Sequence, residues 1–145
     1  MKRVCTSILL LCFLCMMGNG CVQAPPPQNT PANSDAWWLP TNPAQTRLSC
    51  SNRNLTALDV SGYTNLTYLS CYFNRLTGLD VSANTKLTEL WCFGNRLTNA
   101  LDLSFNTGLT HVDATNNSLT EIIVWDTNNL PATFLYDAGV TIREP

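Results

Sequence analysis

Hydrophobic positions recur along this chain with a fixed period. Leu66 to Leu76 reads LTYLSCYFNRL, and the same skeleton returns 21 residues later at Leu87 to Leu97 as LTELWCFGNRL. Within the first copy Leu69, Ser70, Cys71 and Tyr72 alternate apolar and outward positions with period two. That alternation predicts a short strand with Leu69 and Cys71 facing inward, a pattern a helix would not sustain. Asn74 ends the strand, because its amide can satisfy turn backbone groups that no ladder reaches. Leu76, Leu79 and Val81 then supply a second inward set, with Asp80 and Ser82 pointing outward. Each unit therefore closes on itself, and a fixed period in this range is the signature of a stacked solenoid. Parallel stacking sets like residues about 4.8 Å apart in columns, so Asn95 and Asn117 are expected to stack on Asn74.

Four units follow this frame, opening at Leu48, Leu69, Leu90 and Val112, with spacings of 21, 21 and 22. The last copy, LTHVDATNNSL, carries Val112, Ala114 and Asn117 at the Leu, Cys and Asn positions. The first is worn, with Gln45 in place of the opening leucine and Arg53 in place of the asparagine. The second halves are equally regular: LTALDVSGYTNL, LTGLDVSANTKL and, one residue longer, LTNALDLSFNTGL. The pattern LxxLxCxxNxL resembles the leucine-rich repeat, with cysteine standing in for the third leucine, and the resemblance covers residues 45 to about 130. The LDVSxNxxL ending resembles the short repeats of secreted proteins and lipoproteins of Bacteroides-type bacteria. The resemblance implies a leucine-rich repeat solenoid: a short right-handed, β-rich superhelix. Parallel strands would line its concave face, with mostly turns and short extended segments on the convex one.

The remaining sequence divides around these repeats. Residues 1–20 read as a signal peptide: Lys2 and Arg3, an apolar run from Val4 to Met17, then Gly18, Asn19 and Gly20. This run is too short for a typical membrane span. Export to a bacterial cell envelope, or secretion, is the expectation. Cys21 resembles a lipoprotein cleavage cysteine and is the candidate lipid anchor, although Gly18 and Asn19 depart from that motif and also suit ordinary cleavage. Residues 21–44 form a proline-rich tether, interrupted by Trp37 and Trp38, which are expected to fold as a lid on the open end of the first repeat. Residues 45–130 hold the four repeats. Residues 131–145 are expected to cap the far end through Phe134, Leu135, Tyr136, Val140 and Ile142, with a turn at Asp137, Ala138 and Gly139.

Charge and candidate chemistry narrow the function. The chain carries eight basic and ten acidic residues, for a net charge of −2. Removing Lys2 and Arg3 with the signal makes the balance more acidic, and no basic stripe exists to displace counterions from nucleic acid. Seven cysteines suggest a disulfide scaffold until they are placed. Cys5, Cys12 and Cys15 fall in the signal, Cys21 is the anchor, and Cys50, Cys71 and Cys92 form one inward column, where free cysteine acts as a small hydrophobe. A column of one thiol per coil lacks the four tetrahedral ligands of a structural zinc site. Asp59, Asp80 and Asp102 repeat at one position and read as a solvated face rather than a calcium site. No cofactor is implied. His111 is the single histidine, and no nucleophile motif accompanies it or Asp113. An enzyme is not expected; an unrecognised hydrolase is the minor alternative.

Leucine-rich repeat proteins usually bind partners on the concave face, which directs attention to three outward columns. They are Arg47, Tyr68, Glu89, His111; Ser49, Ser70, Trp91, Asp113; and Ser51, Tyr72, Phe93, Thr115. Tyr68, Tyr72, Trp91 and Phe93 fall on the middle two units with Phe73 at their edge, and His111 and Asp113 lie beside them. Exposed aromatics of this kind are enriched at interface hot spots. These seven residues are the candidate partner-binding set, for a protein or, alternatively, a glycan. Two competing readings stand beside it: the rings stabilise a short sheet by cross-strand stacking, or the whole module is a structural or adhesive spacer. The pattern sets no oligomeric state.

Overall fold

The computed structural model describes residues 44–145; the signal segment, Cys21 and the Trp37–Trp38 lid lie outside the described residues. Within them every regular element is a strand: β1 (Arg47–Ser49), β2 (Tyr68–Ser70), β3 (Glu89–Trp91), β4 (Thr98–Asp102), β5 (His111–Asp113), β6 (Ser118–Ile123), β7 (Thr133–Leu135) and β8 (Thr141–Arg143). β1, β2, β3, β5 and β7 form one parallel sheet in that order, and β4, β6 and β8 form a second. The chain is thus a solenoid of about five coils, each contributing a strand to the first sheet. The register is that of the repeat: Leu48 pairs with Leu69, Leu69 with Leu90, Leu90 with Val112 and Val112 with Phe134.

The interior is built from the expected columns. Leu48, Leu69, Leu90 and Val112 are buried, as are Cys50, Cys71, Cys92 and Ala114, followed by Leu55, Leu76 and Leu97. Cys50, Cys71 and Cys92 are free thiols within this column. Leu79 is only half-buried, whereas its neighbour Val81 is fully enclosed.

Asparagine ladders close the turns. Asn74 Nδ2 donates to the Cys50 and Cys71 carbonyls, each at 2.9 Å, and its Oδ1 accepts from Arg53 and Leu55 N–H at 2.9 and 3.0 Å. Asn95 repeats the arrangement on Cys71, Cys92 and Leu76, and Asn117 on Cys92, Ala114 and Leu97. At the last coil Asp137 takes over as acceptor, its two carboxylate oxygens receiving Asn116 and Asn117 N–H at 2.9 Å. A second ladder runs through Asn84 and Asn106. Their Nδ2 atoms donate to the carbonyls of Val60 and Tyr63, and of Val81 and Asn84. The sequence reading missed this ladder because the position in the first coil is Tyr63, so only two asparagines mark it.

Two features depart from the expected architecture. The second face carries a true three-stranded sheet in its C-terminal half, where turns and short extended segments predominate earlier. It begins in the repeat with the extra residue: Asn99 sits at φ 62°, and the pairing of β4 with β6 shifts register between Asn99 and Ala100. The bulge absorbs the inserted residue within the paired limb. The second departure is the tail, where residues 131–145 build a fifth coil in the same two sheets. Phe134 follows Val112 and Ile142 follows Ile122 in register, with the expected turn closed by Val140 N–H to the Asp137 carbonyl.

Candidate functional site

The outward face of the first sheet gathers the candidate residues because register alignment sets successive coils side by side. Tyr72 and Phe93 lie one coil apart and stack, with ring centroids 4.6 Å apart and planes within 11°. Phe73 meets both edge-on, at 5.5 Å from Tyr72 and 5.0 Å from Phe93. These three rings form one cluster, with Phe73 54% exposed.

A backbone regularity puts Phe73 there. Asn52, Phe73, Gly94 and Asn116 occupy one position in successive coils and all have positive φ, at 59°, 51°, 65° and 55°. Asparagine and glycine tolerate this region; a bulky aromatic does so only at an energetic penalty. Gly94 also makes room for the ring: a Cβ at Gly94 would stand 2.4 Å from Phe73 Cδ1.

The other candidates are placed differently. Tyr68 is roofed by Arg47, whose guanidinium carbon lies 3.8 Å from the ring centroid, a cation–π arrangement. Trp91 donates its indole N–H to Glu89 Oε2 at 3.2 Å. His111 Nδ1 lies 3.0 Å from Thr110 Oγ1. Asp113 Oδ1 accepts from the backbone N–H and hydroxyl of Thr115 at 3.0 and 2.7 Å, capping its own turn. His111 and Asp113 therefore face separate partners and form no acid–base pair. Ser70, read as outward, is buried at 1% exposure, its hydroxyl 2.8 Å from that of Ser51.

Elsewhere the side chains are engaged in structure. Asp59, Asp80 and Asp102 each accept the N–H of the serine two residues on, at 2.9 Å. Hydrogen bonds from Ser61 and Ser82 hold the Asp59 and Asp80 carboxyls below their ordinary value of 3.8. A shallow depression of about 210 Å³ opens beside Asp59 and Asp80, and no group of three or more metal-ligating side chains converges among the described residues. Burial pushes the Cys71 thiol up to about 12, and burial likewise raises Cys92, so neither supplies a thiolate nucleophile. The arrangement suits recognition, with rings, an arginine-covered tyrosine and polar neighbours on one face. Arg75 and Arg96, absent from the sequence-derived site, stand exposed two residues beyond Phe73 and Gly94. Their signal was the recurring Asn-Arg pair of the two best-kept repeats.

Residues 64–108 match a family model for leucine rich repeats, as two copies. Among solved structures, the functional domain of InlJ from Listeria monocytogenes, which includes a cysteine ladder, is 40% identical over 55% of this chain, with a TM-score of 0.48. This chain spans 20% of that one. Among curated proteins, none matches.

Proposed function

Residues 64–108 carry leucine rich repeats, and from that premise we propose that the chain is a non-enzymatic binding module recognising a protein partner through the outward face of β2 and β3. The observation that carries this reading is the contact of Tyr72, Phe73 and Phe93 as one ring cluster just past the ends of β2 and β3, with Phe73 more than half exposed. Anchoring aromatics framed by arginine and polar groups have the composition of interface hot spots. Tyr68 under Arg47, Trp91, His111 and Asp113 belong to the polar frame of this surface.

We further propose that the module is exported and held at a bacterial envelope through lipid on Cys21. This rests on the sequence of the leader alone, and mass spectrometry of the mature N-terminus tests it. A diacylglyceryl-modified Cys21 is expected, and an unmodified terminus after residue 20 would set the anchor aside.

The structural-spacer reading is separated by the Tyr72→Ser, Trp91→Ser, Phe93→Ser triple variant. The binding role requires loss of an identified protein partner with the thermal melt preserved. Loss of the cooperative melt would instead assign the rings to the fold.

A further inference from the structure

Beside the ring cluster runs a line of cations that the cluster itself does not use. Arg75 and Arg96 donate their backbone N–H groups to the Leu55 and Leu76 carbonyls of the preceding coils at 2.7 and 2.9 Å. They are therefore in register, about 4.8 Å apart along the stack. In the first coil Asn54 fills this column, and Arg53 stands one position earlier, at the asparagine position, its N–H held by Asn74 Oδ1. All three side chains are exposed. The carboxylate pairing among the described residues is Arg143 with Glu121, and no side chain partners the guanidinium groups of Arg53, Arg75 or Arg96. Carboxylates in the neighbouring outward columns are taken, Glu89 by the Trp91 indole and Asp113 by Thr115. Asp59, Asp80 and Asp102 belong to the second limb, where Asp102 ends β4. A chain with net negative charge thus keeps three unpaired arginines next to its exposed aromatics.

Phe73 is the second, independent observation. The coils before and after it, and the fourth, fill the same left-handed position with Asn52, Gly94 and Asn116, residues that bear it with little strain. Burial does not account for phenylalanine here, since the ring is 54% exposed. Its edge-on contacts with Tyr72 and Phe93 offset the backbone cost, so the position holds an aromatic ring at the surface where its neighbours need none.

The ring geometry selects the class of ligand. Tyr72 and Phe93 stack from one coil to the next, just past the ends of β2 and β3, with Phe73 perpendicular to both. With Phe73 set across both rings and 54% exposed, the three form one compact apolar patch that an apolar side chain can cover. The guanidinium groups alongside are forks suited to carboxylates.

We infer that the patch binds an acidic peptide segment of its partner, with an aromatic or branched aliphatic side chain against Phe73 and flanking carboxylates on Arg75 and Arg96, Arg53 serving the rim. The inference rests on the ring cluster being the recognition surface.

The test pans the full chain against a phage-displayed random peptide library. Selected peptides are synthesised and titrated by fluorescence anisotropy, with polygalacturonate as an anionic polysaccharide probe. Selected sequences should carry Asp or Glu around an apolar residue. Arg75→Gln with Arg96→Gln should weaken them about 10-fold or more, and Phe73→Asn about 30-fold or more, the loss typical of a hot spot. Phe73→Asn copies the residue found in the first and fourth coils, so it keeps the fold. Peptides that need Phe73 but are neutral or basic, and ignore the arginines, overturn this inference while leaving the ring cluster as a recognition surface. Absence of any Phe73-dependent peptide overturns both. Arginine-dependent capture of polygalacturonate that persists in Phe73→Asn overturns the peptide assignment in favour of an anionic glycan.

Discussion

A bulky residue at φ 51° and a glycine beneath it define the site at the scale of single residues. Left-handed backbone at a non-glycine residue costs about 1–2 kcal/mol, while the two ring contacts of Phe73 return about 0.5–1.5 kcal/mol each. The terms nearly cancel. Phe73→Asn is therefore expected to change stability by no more than about 1 kcal/mol in urea titrations, against the roughly 3–5 kcal/mol of a core phenylalanine truncation. A loss of the larger size would make Phe73 a structural residue. Gly94→Ala meets both penalties, positive φ and the Phe73 ring. It should destabilise by more than about 1 kcal/mol, and part of that loss should be recovered in the Gly94→Ala, Phe73→Asn double variant, a coupling that a double-mutant cycle reads directly.

At the scale of elements, the columns do the holding. Asn95 shares the Cys71 carbonyl with Asn74 and the Cys92 carbonyl with Asn117, while its Oδ1 accepts the Leu76 N–H, so its removal strips that buried N–H of its partner, at about 1–3 kcal/mol. Asn95→Ala should lower stability by about 2 kcal/mol in chemical denaturation, and an effect below about 1 kcal/mol would contradict the ladder. The cysteine column behaves as packing. Desolvation favours the neutral thiol, so with Cys71 raised to about 12 and Cys92 also raised the reactive thiolate is essentially absent near pH 8. Peptides carrying Cys71 and Cys92 should resist iodoacetamide in the native protein and label fully in denaturant. Native labelling would show that the coils open on the experimental timescale.

At the scale of the molecule, stability is shared between neighbouring coils, so the ends matter as much as the middle. β7 and β8 cover the edge strands β5 and β6 of both sheets, and Asp137 satisfies the last turn of the asparagine ladder. Removing residues 131–145 uncovers Val112, Ala114 and Ile122 together. We predict loss of the cooperative thermal melt, or aggregation, for that truncation; an unchanged melt would refute the dependence. The same end also leaves apolar surface exposed, with Leu135 at 47% and Tyr136 at 39%.

Periodicity alone determined the solenoid, its register and the inward columns, because a repeat of 21 residues leaves each Leu, Cys and Asn one position in which like can stack on like. It determined equally that Tyr72 and Phe93 would be neighbours, since both occupy one outward column. What lies between positions required the tertiary structure. The left-handed φ shared by Asn52, Phe73, Gly94 and Asn116 is a property of the coil and not of one residue type. The fifth coil was hidden because Phe134 and Ile142 keep the stacking without the repeat's letters. The separation of His111 from Asp113, and of Tyr68 and Trp91 from the ring cluster, was settled by nearer partners: Thr110, Thr115, Arg47 and Glu89. Sequence spacing assigns a side chain to a face, while its direction on that face depends on which hydrogen bond or ring lies within reach.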